Sequence, residues 1–239
     1  MTGYGVGAAD GDLGVLKDFF FDDESWMIRF IVVETGGGAG RRVLLAPTLD
    51  CCSPDWTLQL LHVGMTIEDV MHSPDVDTAE PVSRQQELLV NAYYESKGAT
   101  AKSFVGRRKL PSSGGDPHLR SFAEIRSYSI TAEDGPGGHV YDVIVDSDDW
   151  EACYVVVGRP QSPMAKALVS VDWIKGVSWA DRTLRVDLSV SALNTCPDYD
   201  PSAAINREDE DRLYDYHGRP KPWDLDRVSR LESRKGSCL

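Results

Sequence analysis

Residues 138–150, "GHVYDVIVDSDDW", repeat what residues 14–26, "GVLKDFFFDDESW", have already said. Gly, Asp, Asp and Trp fall at the same places, at an offset of 124 residues. In both stretches β-branched or aromatic residues run into an acidic turn, which reads as a strand entering a hairpin. The match extends in both directions. Tyr4 pairs with Tyr128, Asp10-Gly11 with Asp134-Gly135, "FIVV" at 30–33 with "YVVV" at 154–157, and Leu44 with Leu168. Further on the offset becomes 123, a slip that a loop absorbs. Trp56 then meets Trp179, Leu61 meets Leu184, Thr66 meets Ser189, and "SPDVD" at 73–77 meets "CPDYD" at 196–200. Arg84 matches Arg207, Glu87 matches Glu210 and Tyr93 matches Tyr216. Agreement over nearly both halves marks a tandem duplication.

Each copy opens on the hairpin. If Phe21 and Trp26 close a four-residue turn, Asp18 stands opposite Arg29 as a cross-strand ion pair. The same register sets Asp142 opposite Cys153, with no partner. More strands are expected at "RRVLLA", "TLQLLHV", "KALVSV" and "RTLRVDL". Two short helices then close each copy. The first starts at Thr66 or Ser189 as N-cap, the second at Ser83 or Asn206. Ser83 with Gln86 fits a capping box, and Leu88, Leu89, Ala92 and Tyr93 supply an apolar face. Short strands finished by helices point to a mainly β fold built as two small barrels or rolled sheets.

With 239 residues, 41% hydrophobic and 26% charged, the chain has room for two modules that each bury a core. The expected division is 1–97 for the first module, 98–117 for a connector and 118–239 for the second with its tail. The connector, "GATAKSFVGRRKLPSSGGDP", reads as flexible. The second module carries a lead-in, "HLRSFAEIRS", whose counterpart would precede Met1. Net charge is −10 over the first module, +3 over the connector and −6 over the second. Both modules therefore repel a phosphate backbone, and only Arg107, Arg108 and Lys109 in "GRRK" would attract one. No apolar run is long enough for a membrane span. No signal peptide is expected either, and five irregularly spaced cysteines without a CxxC fit a cytoplasmic protein.

"ADGDLGVLKDFFFDDESWMIRFIVVETGG" followed by "RRVLLAP", and "HLRSFAEIRSYSITAEDGPGGHVYDVIVDSDDW", resemble the PRC-barrel family. "SPDVDTAEPVSRQQELLVNAYY" and "CPDYDPSAAINREDEDRLYDYHGRPKPW" are similar to the helical extension of its stand-alone bacterial members. That family includes the cytoplasmic domain of the photosynthetic reaction-centre H subunit and the C-terminal domain of ribosome maturation factors. The resemblance implies tandem six-stranded barrels that dock other proteins, with no catalysis and no cofactor. Two departures stand out. "GGGAG" and "RPQSPM" replace an aromatic and a proline between the second and third strands, and no transmembrane helix is present.

Candidate sites have plain competing readings. "DDESW" and "DSDDW" look like the start of a calcium loop, but position 6 is Met27 or Glu151 and position 12 is Val33 or Val157, so the ligands are missing. "GGGAGRR" lacks the Lys-Ser/Thr of a phosphate loop. The five histidines have no HxxxH spacing, and no GxSxG occurs. Asp18 and Asp142 are either structural carboxylates or, if buried alone, proton-handling groups. Trp26 and Trp150 are read as structural. Tyr93 and Tyr216 are expected to pack their helices, while Arg84 and Arg207 either tie down the acidic "PDVD" and "PDYD" loops or contact a partner. The sequence as a whole is read as a non-catalytic docking protein that binds another protein or itself. RNA or ribosome association is the alternative, and a small-ligand binder or enzyme using a cleft is the third reading.

Overall fold

In the computed structural model the described residues are 1–36, 40–47, 52–74, 84–97, 119–162, 164–203 and 205–224. The first repeat supplies β1 (Gly5–Ala8), β2 (Gly11–Asp22), β3 (Ile28–Thr35), β4 (Arg42–Leu45), β5 (Cys52–Asp55) and β6 (Leu60–Val63). Helices α1 (Ile67–Met71) and α2 (Arg84–Ser96) follow. The lead-in forms β7 (Leu119–Ser121) and α3 (Phe122–Ile125). The second repeat supplies β8 (Ser129–Ala132), β9 (Gly135–Asp146), β10 (Glu151–Gly158) and β11 (Lys166–Ser170). A 3-10 turn at Val171–Trp173 leads to β12 (Ile174–Ser178), β13 (Thr183–Val186), α4 (Val190–Thr195) and α5 (Arg207–His217).

The duplication is carried through to topology. One sheet runs β4-β3-β2-β1-β6-β5, with β7 added beside β2; the other runs β11-β10-β9-β8-β13-β12. Position by position these orders are the same. Each contains one parallel pair, β1 with β6 and β8 with β13, at equivalent registers. Backbone exceptions repeat as well. Among the described residues, those other than glycine with positive φ are Trp26 and Trp150, Gln59 and Arg182, which are two equivalent pairs. The fold is thus mainly β in two sheets. Among the described residues no ladder joins the outer strands of either sheet.

The chain divides into two compact units. One comprises Met1–Tyr128 with Asp142–Val155, the turn end of the second hairpin; the other comprises Ser129–Tyr141 and Val156–Leu239. The first buries Leu16, Phe21, Ile28, Phe30, Ile31 and Tyr94. The second buries Ile130, Val140, Val157, Val169, Leu184 and Leu193. The connector expected at 98–117 lies outside the described residues, as does Ser83 with its capping box.

Several short-range signals hold. Thr66 and Ser189 cap α1 and α4, accepting from the backbone N–H groups of Asp69 and Ala192. Asn206 and Asp209 form a reciprocal capping box on α5. Asp10 and Asp134, matched in the repeat, accept from Ile67 N at 2.8 Å and Val190 N at 2.6 Å, so each ties a strand turn to the following helix.

The hairpin register is corrected by the structure. Asp22 and Met27 close the turn, through the Asp22 N–H to the Met27 carbonyl. The reason is local: the buried Asp22 carboxylate accepts from Ser25 N at 2.7 Å and Ser25 Oγ at 2.8 Å, which fixes where the turn begins. A bulge between Phe20 and Phe21 leaves Arg29 as the extra residue of β3. Asp18 consequently faces Val32, not Arg29.

The two acidic turns also pair with each other. The Ile28 N–H donates to the Trp150 carbonyl and the Ala152 N–H to the Trp26 carbonyl, both at 2.8 Å. Met27 and Glu151 bridge antiparallel between them. Every donor and acceptor in this exchange has its repeat equivalent on the other side, so the hairpin is present twice and clasps its own copy.

Candidate functional site

Helix α2 carries an exposed apolar stripe. Val90 and Tyr94, one turn apart, are its buried pair, and the Tyr94 hydroxyl donates to the Leu44 carbonyl at 2.7 Å. The Tyr93 hydroxyl donates to the Asp69 carbonyl of α1 at 2.6 Å. Lys97 pairs with the Asp69 carboxylate at 2.9 Å, which pushes the Lys97 pKa up and, with help from the Thr66 hydroxyl, pulls Asp69 down. With the helix fixed this way, Leu88 and Leu89 stand 55% and 57% exposed, and Ala92 is exposed beside them. The sequence reading grouped Leu88, Leu89 and Ala92 with Tyr93 as one apolar face. The structure keeps Tyr93 half-buried and turns Leu88, Leu89 and Ala92 outward, because the tyrosine hydroxyls donate to the carbonyls of Asp69 and Leu44.

The remaining candidates are placed as follows. Asp18 sits where β2 meets the lead-in, and its carboxylate accepts from Ser121 Oγ at 2.5 Å, Phe19 N at 2.8 Å and Ala123 N at 3.1 Å. It therefore caps α3 as a structural acceptor. Asp142 is neither buried nor alone: Arg126 grips it through Nε at 3.2 Å and Nη2 at 2.9 Å. The proton-handling reading of Asp142 depended on an unpartnered buried carboxylate and falls with that finding. Trp26 stacks on Phe21 with ring centroids 5.1 Å apart, and Trp150 is only 1% exposed.

Arg207 does not hold the "PDYD" loop. It pairs with Glu210 at 3.0 Å in the next turn of α5 and lies 4.1 Å over the Trp223 ring. Tyr216 is exposed and lies within 2.5 Å of Thr195 Oγ1, linking α5 to α4 as Tyr93 links α2 to α1. Of Arg84 only the backbone position at the start of α2 is described. Arg107, Arg108 and Lys109 lie outside the described residues.

Two residues that the sequence reading missed anchor the helical corners. Arg41 donates to the carbonyls of Met71 and Ser73, at the end of α1. Arg159 does the same for Asn194 at 2.8 Å and Cys196 at 2.6 Å, at the end of α4, and also pairs with Asp198 at 2.7 Å. Cations there complement the carbonyl end of a helix. A change in offset to 118 between Arg41 and Arg159 hid the equivalence; comparing residues around "GGGAGRR" and "VVVGRP" by role would have found it.

In the second unit an open groove runs past Asp198, Glu208, Asp211, Arg212, Asp215 and Tyr216. A narrower cleft of about 160 Å³ lies beside it, between Pro197–Asp200 and α5. This is smaller than the roughly 300–1,000 Å³ of ordinary small-molecule sites. Several carboxylates lining the groove and the cleft face cations. Lys221 holds Asp211 and Asp215 at 2.9 Å each, which pushes its own pKa up, and Arg212 holds Asp209 at 2.7 Å.

His217 behaves differently. Its ring packs against Trp173 and Tyr216 at 4.9 Å from each, and burial, helped by the Arg219 charge, lowers its pKa to about 4. The unfolded chain then holds a proton on this residue that the folded chain rejects between pH 6.5 and about 4. The associated stability is complete above pH 6.5 and is lost as pH falls toward 4. Allowing for solvent screening of a half-exposed ring, the loss is on the order of 1–2 kcal/mol. Urea unfolding between pH 4 and 7 checks this: His217→Gln flattens the pH slope, and an unchanged slope contradicts the assignment.

Among the described residues no helix is long and apolar enough to cross a membrane. Compared with known proteins, the chain matches no family model and no curated sequence.

Proposed function

We propose that this chain is a non-catalytic docking protein built from two PRC-barrel-like modules, and that it acts in the cytoplasm by binding another protein. The exposed Leu88-Leu89-Ala92 stripe on α2 carries this reading. Adjacent leucines more than half exposed are unusual company for a chain of net charge −13, and such apolar patches are the common mark of a protein interface. The same strand order in both halves and the resemblance of both hairpins support the PRC-barrel-like assignment. Cys196, a buried thiol whose pKa burial pushes up, fits a reducing compartment.

The test uses tagged full-length chain and cell lysate at physiological salt, with half of each sample treated with nuclease. A defined protein is expected in both halves. Leu88→Lys/Leu89→Lys, which changes exposed positions and preserves the circular dichroism spectrum, is expected to reduce its recovery about tenfold or more, as loss of two apolar anchors should. Recovery that depends on nucleic acid, or that ignores this variant, contradicts the reading.

A further inference from the structure

We propose that residues 219–223, "RPKPW", are a releasable strap that fills a docking site on α5 in cis, and that this site takes a partner segment of the same chemistry: two basic residues, each followed by proline, and then tryptophan. The proposal adds a surface to the docking reading and does not rest on α2. Its basis is a ligand-like segment of this chain seated on the face. Helix α5 ends at Gly218, whose φ of +60° takes the backbone out of the helix, and the Arg219 N–H donates back to the Tyr214 carbonyl at 3.0 Å. Arg219 and Lys221 each precede a proline, which favours extended backbone at both. Pro222 then opens a helical turn over 222–224, at a position where no N–H is needed.

Three side chains make the grip. Arg219 pairs with the Asp187 carboxylate at 3.0 Å and donates to the Asp187 carbonyl at 2.6 Å, where Lys175 meets the same carboxylate. Lys221 sits between Asp211 and Asp215, at 2.9 Å from each. Trp223 packs against Tyr214 with ring centroids 5.2 Å apart, and the Arg207 guanidinium lies 4.1 Å over its ring. These contacts run from the end of α5 back to its first residue, so the strap doubles back along the helix it has just left. The platform under it is fixed independently. Tyr214 is buried against Trp173 at 5.1 Å, and its hydroxyl donates to Ser170 Oγ at 3.0 Å.

This is how a short peptide sits on a receptor surface. Side chains supply the contacts, and the two prolines have no N–H to offer a ladder. Prolines also hold such a segment near its docked shape, so docking costs little entropy. The charges match: α5 carries Glu208, Asp209, Glu210, Asp211 and Asp215, and the strap brings two bases. Asp211 and Asp215 also line the groove beside α5, so the strap and the groove share them. A phosphate-rich ligand is repelled by the same face. Tethering gives the strap an effective concentration on the order of millimolar, which is the threshold that a partner segment overcomes by affinity or by binding at a second site.

The probe is the strap's own sequence, GRPKPWD (218–224), made as a labelled, end-blocked peptide and titrated into full-length protein by fluorescence anisotropy. The tethered strap hides the site, so the wild-type chain is expected to bind the peptide weakly. Arg219→Glu/Lys221→Glu/Trp223→Ala, which empties the strap position, is expected to bind one-to-one and tighter by about tenfold or more. Adding Asp211→Lys/Asp215→Lys to that chain is expected to abolish binding, and raising NaCl from about 0.1 to about 0.5 M to weaken it severalfold. Should the triple variant lose its circular dichroism spectrum, Lys221→Gln takes its place. Leu88→Lys/Leu89→Lys in the strap-released chain leaves binding unchanged, so this test and that of α2 fail separately. No binding by a folded strap-released chain overturns the proposal and leaves the strap a structural tie. Equal binding by wild type and released chains also overturns it, because the peptide then sits elsewhere. So does binding that survives Asp211→Lys/Asp215→Lys.

Discussion

Gly138→Ala should destabilise the protein by about 3 kcal/mol or more, enough to unfold a marginally stable domain. Gly138 has a φ of +95°, where side chains other than glycine are strained. The steric problem is larger than the strain. A Cβ at this position would lie 2.0 Å from the Gly158 carbonyl oxygen, and that oxygen belongs to backbone, with no flexible side chain to swing away. The chain must open between β9 and β10 to admit it. Gly14, its repeat equivalent, meets the Glu34 carbonyl oxygen at 2.1 Å with φ +152°, so Gly14→Ala should behave alike. Gly218, at φ +60° with open space around it, provides the control. Gly218→Ala should cost only about 1 kcal/mol, the conformational term alone. Urea titrations followed by circular dichroism separate these outcomes. Equal effects at Gly138 and Gly218 would show that close strand approach is not what the repeated glycine serves.

Trp150→Ala should cost about 3–5 kcal/mol, the range for deleting a buried large aromatic. The side chain is almost fully buried, and its carbonyl accepts the Ile28 N–H across the clasp. Its backbone has a φ of 53°, in the left-handed region. Alanine loses the packing and keeps that strain, whereas glycine loses the packing and is relieved of it. Trp150→Gly should therefore be the milder substitution by about 1 kcal/mol, the reverse of the usual order within regular structure. Trp26, at φ 61°, should show the same inversion. If Ala proves the milder replacement at both positions, the left-handed turn end is not a real constraint.

Much of this architecture can be read from the residues. The repeat, the hairpins and the helix starts at Thr66, Ser189 and Asn206 are encoded by short-range chemistry, in which a turn or cap residue needs only its neighbours. The register is different, because it turned on the Asp22 side chain choosing Ser25 and on a bulge that no periodicity announces. The face of α2 was unreadable for another reason. Leu88, Leu89, Val90, Ala92, Tyr93 and Tyr94 are apolar nearly all round the helix, and only the distant carbonyls of Leu44 and Asp69 select which side is buried. Asp142 lost its expected isolation to Arg126, which is separated from it by a strand and a turn.

The reciprocal pairing of the two turns is the central structural claim, and native-state amide hydrogen exchange at Ile28 and Ala152 tests it most directly. The clasp makes each amide's protection depend on the carbonyl of the other repeat. In the full-length protein both amides should exchange slowly and with matching opening free energies. Trp150→Gly, by loosening one turn, should accelerate Ile28 in the other hairpin. Fast exchange at either amide in the native chain, or an Ile28 rate untouched by Trp150→Gly, would contradict the clasp.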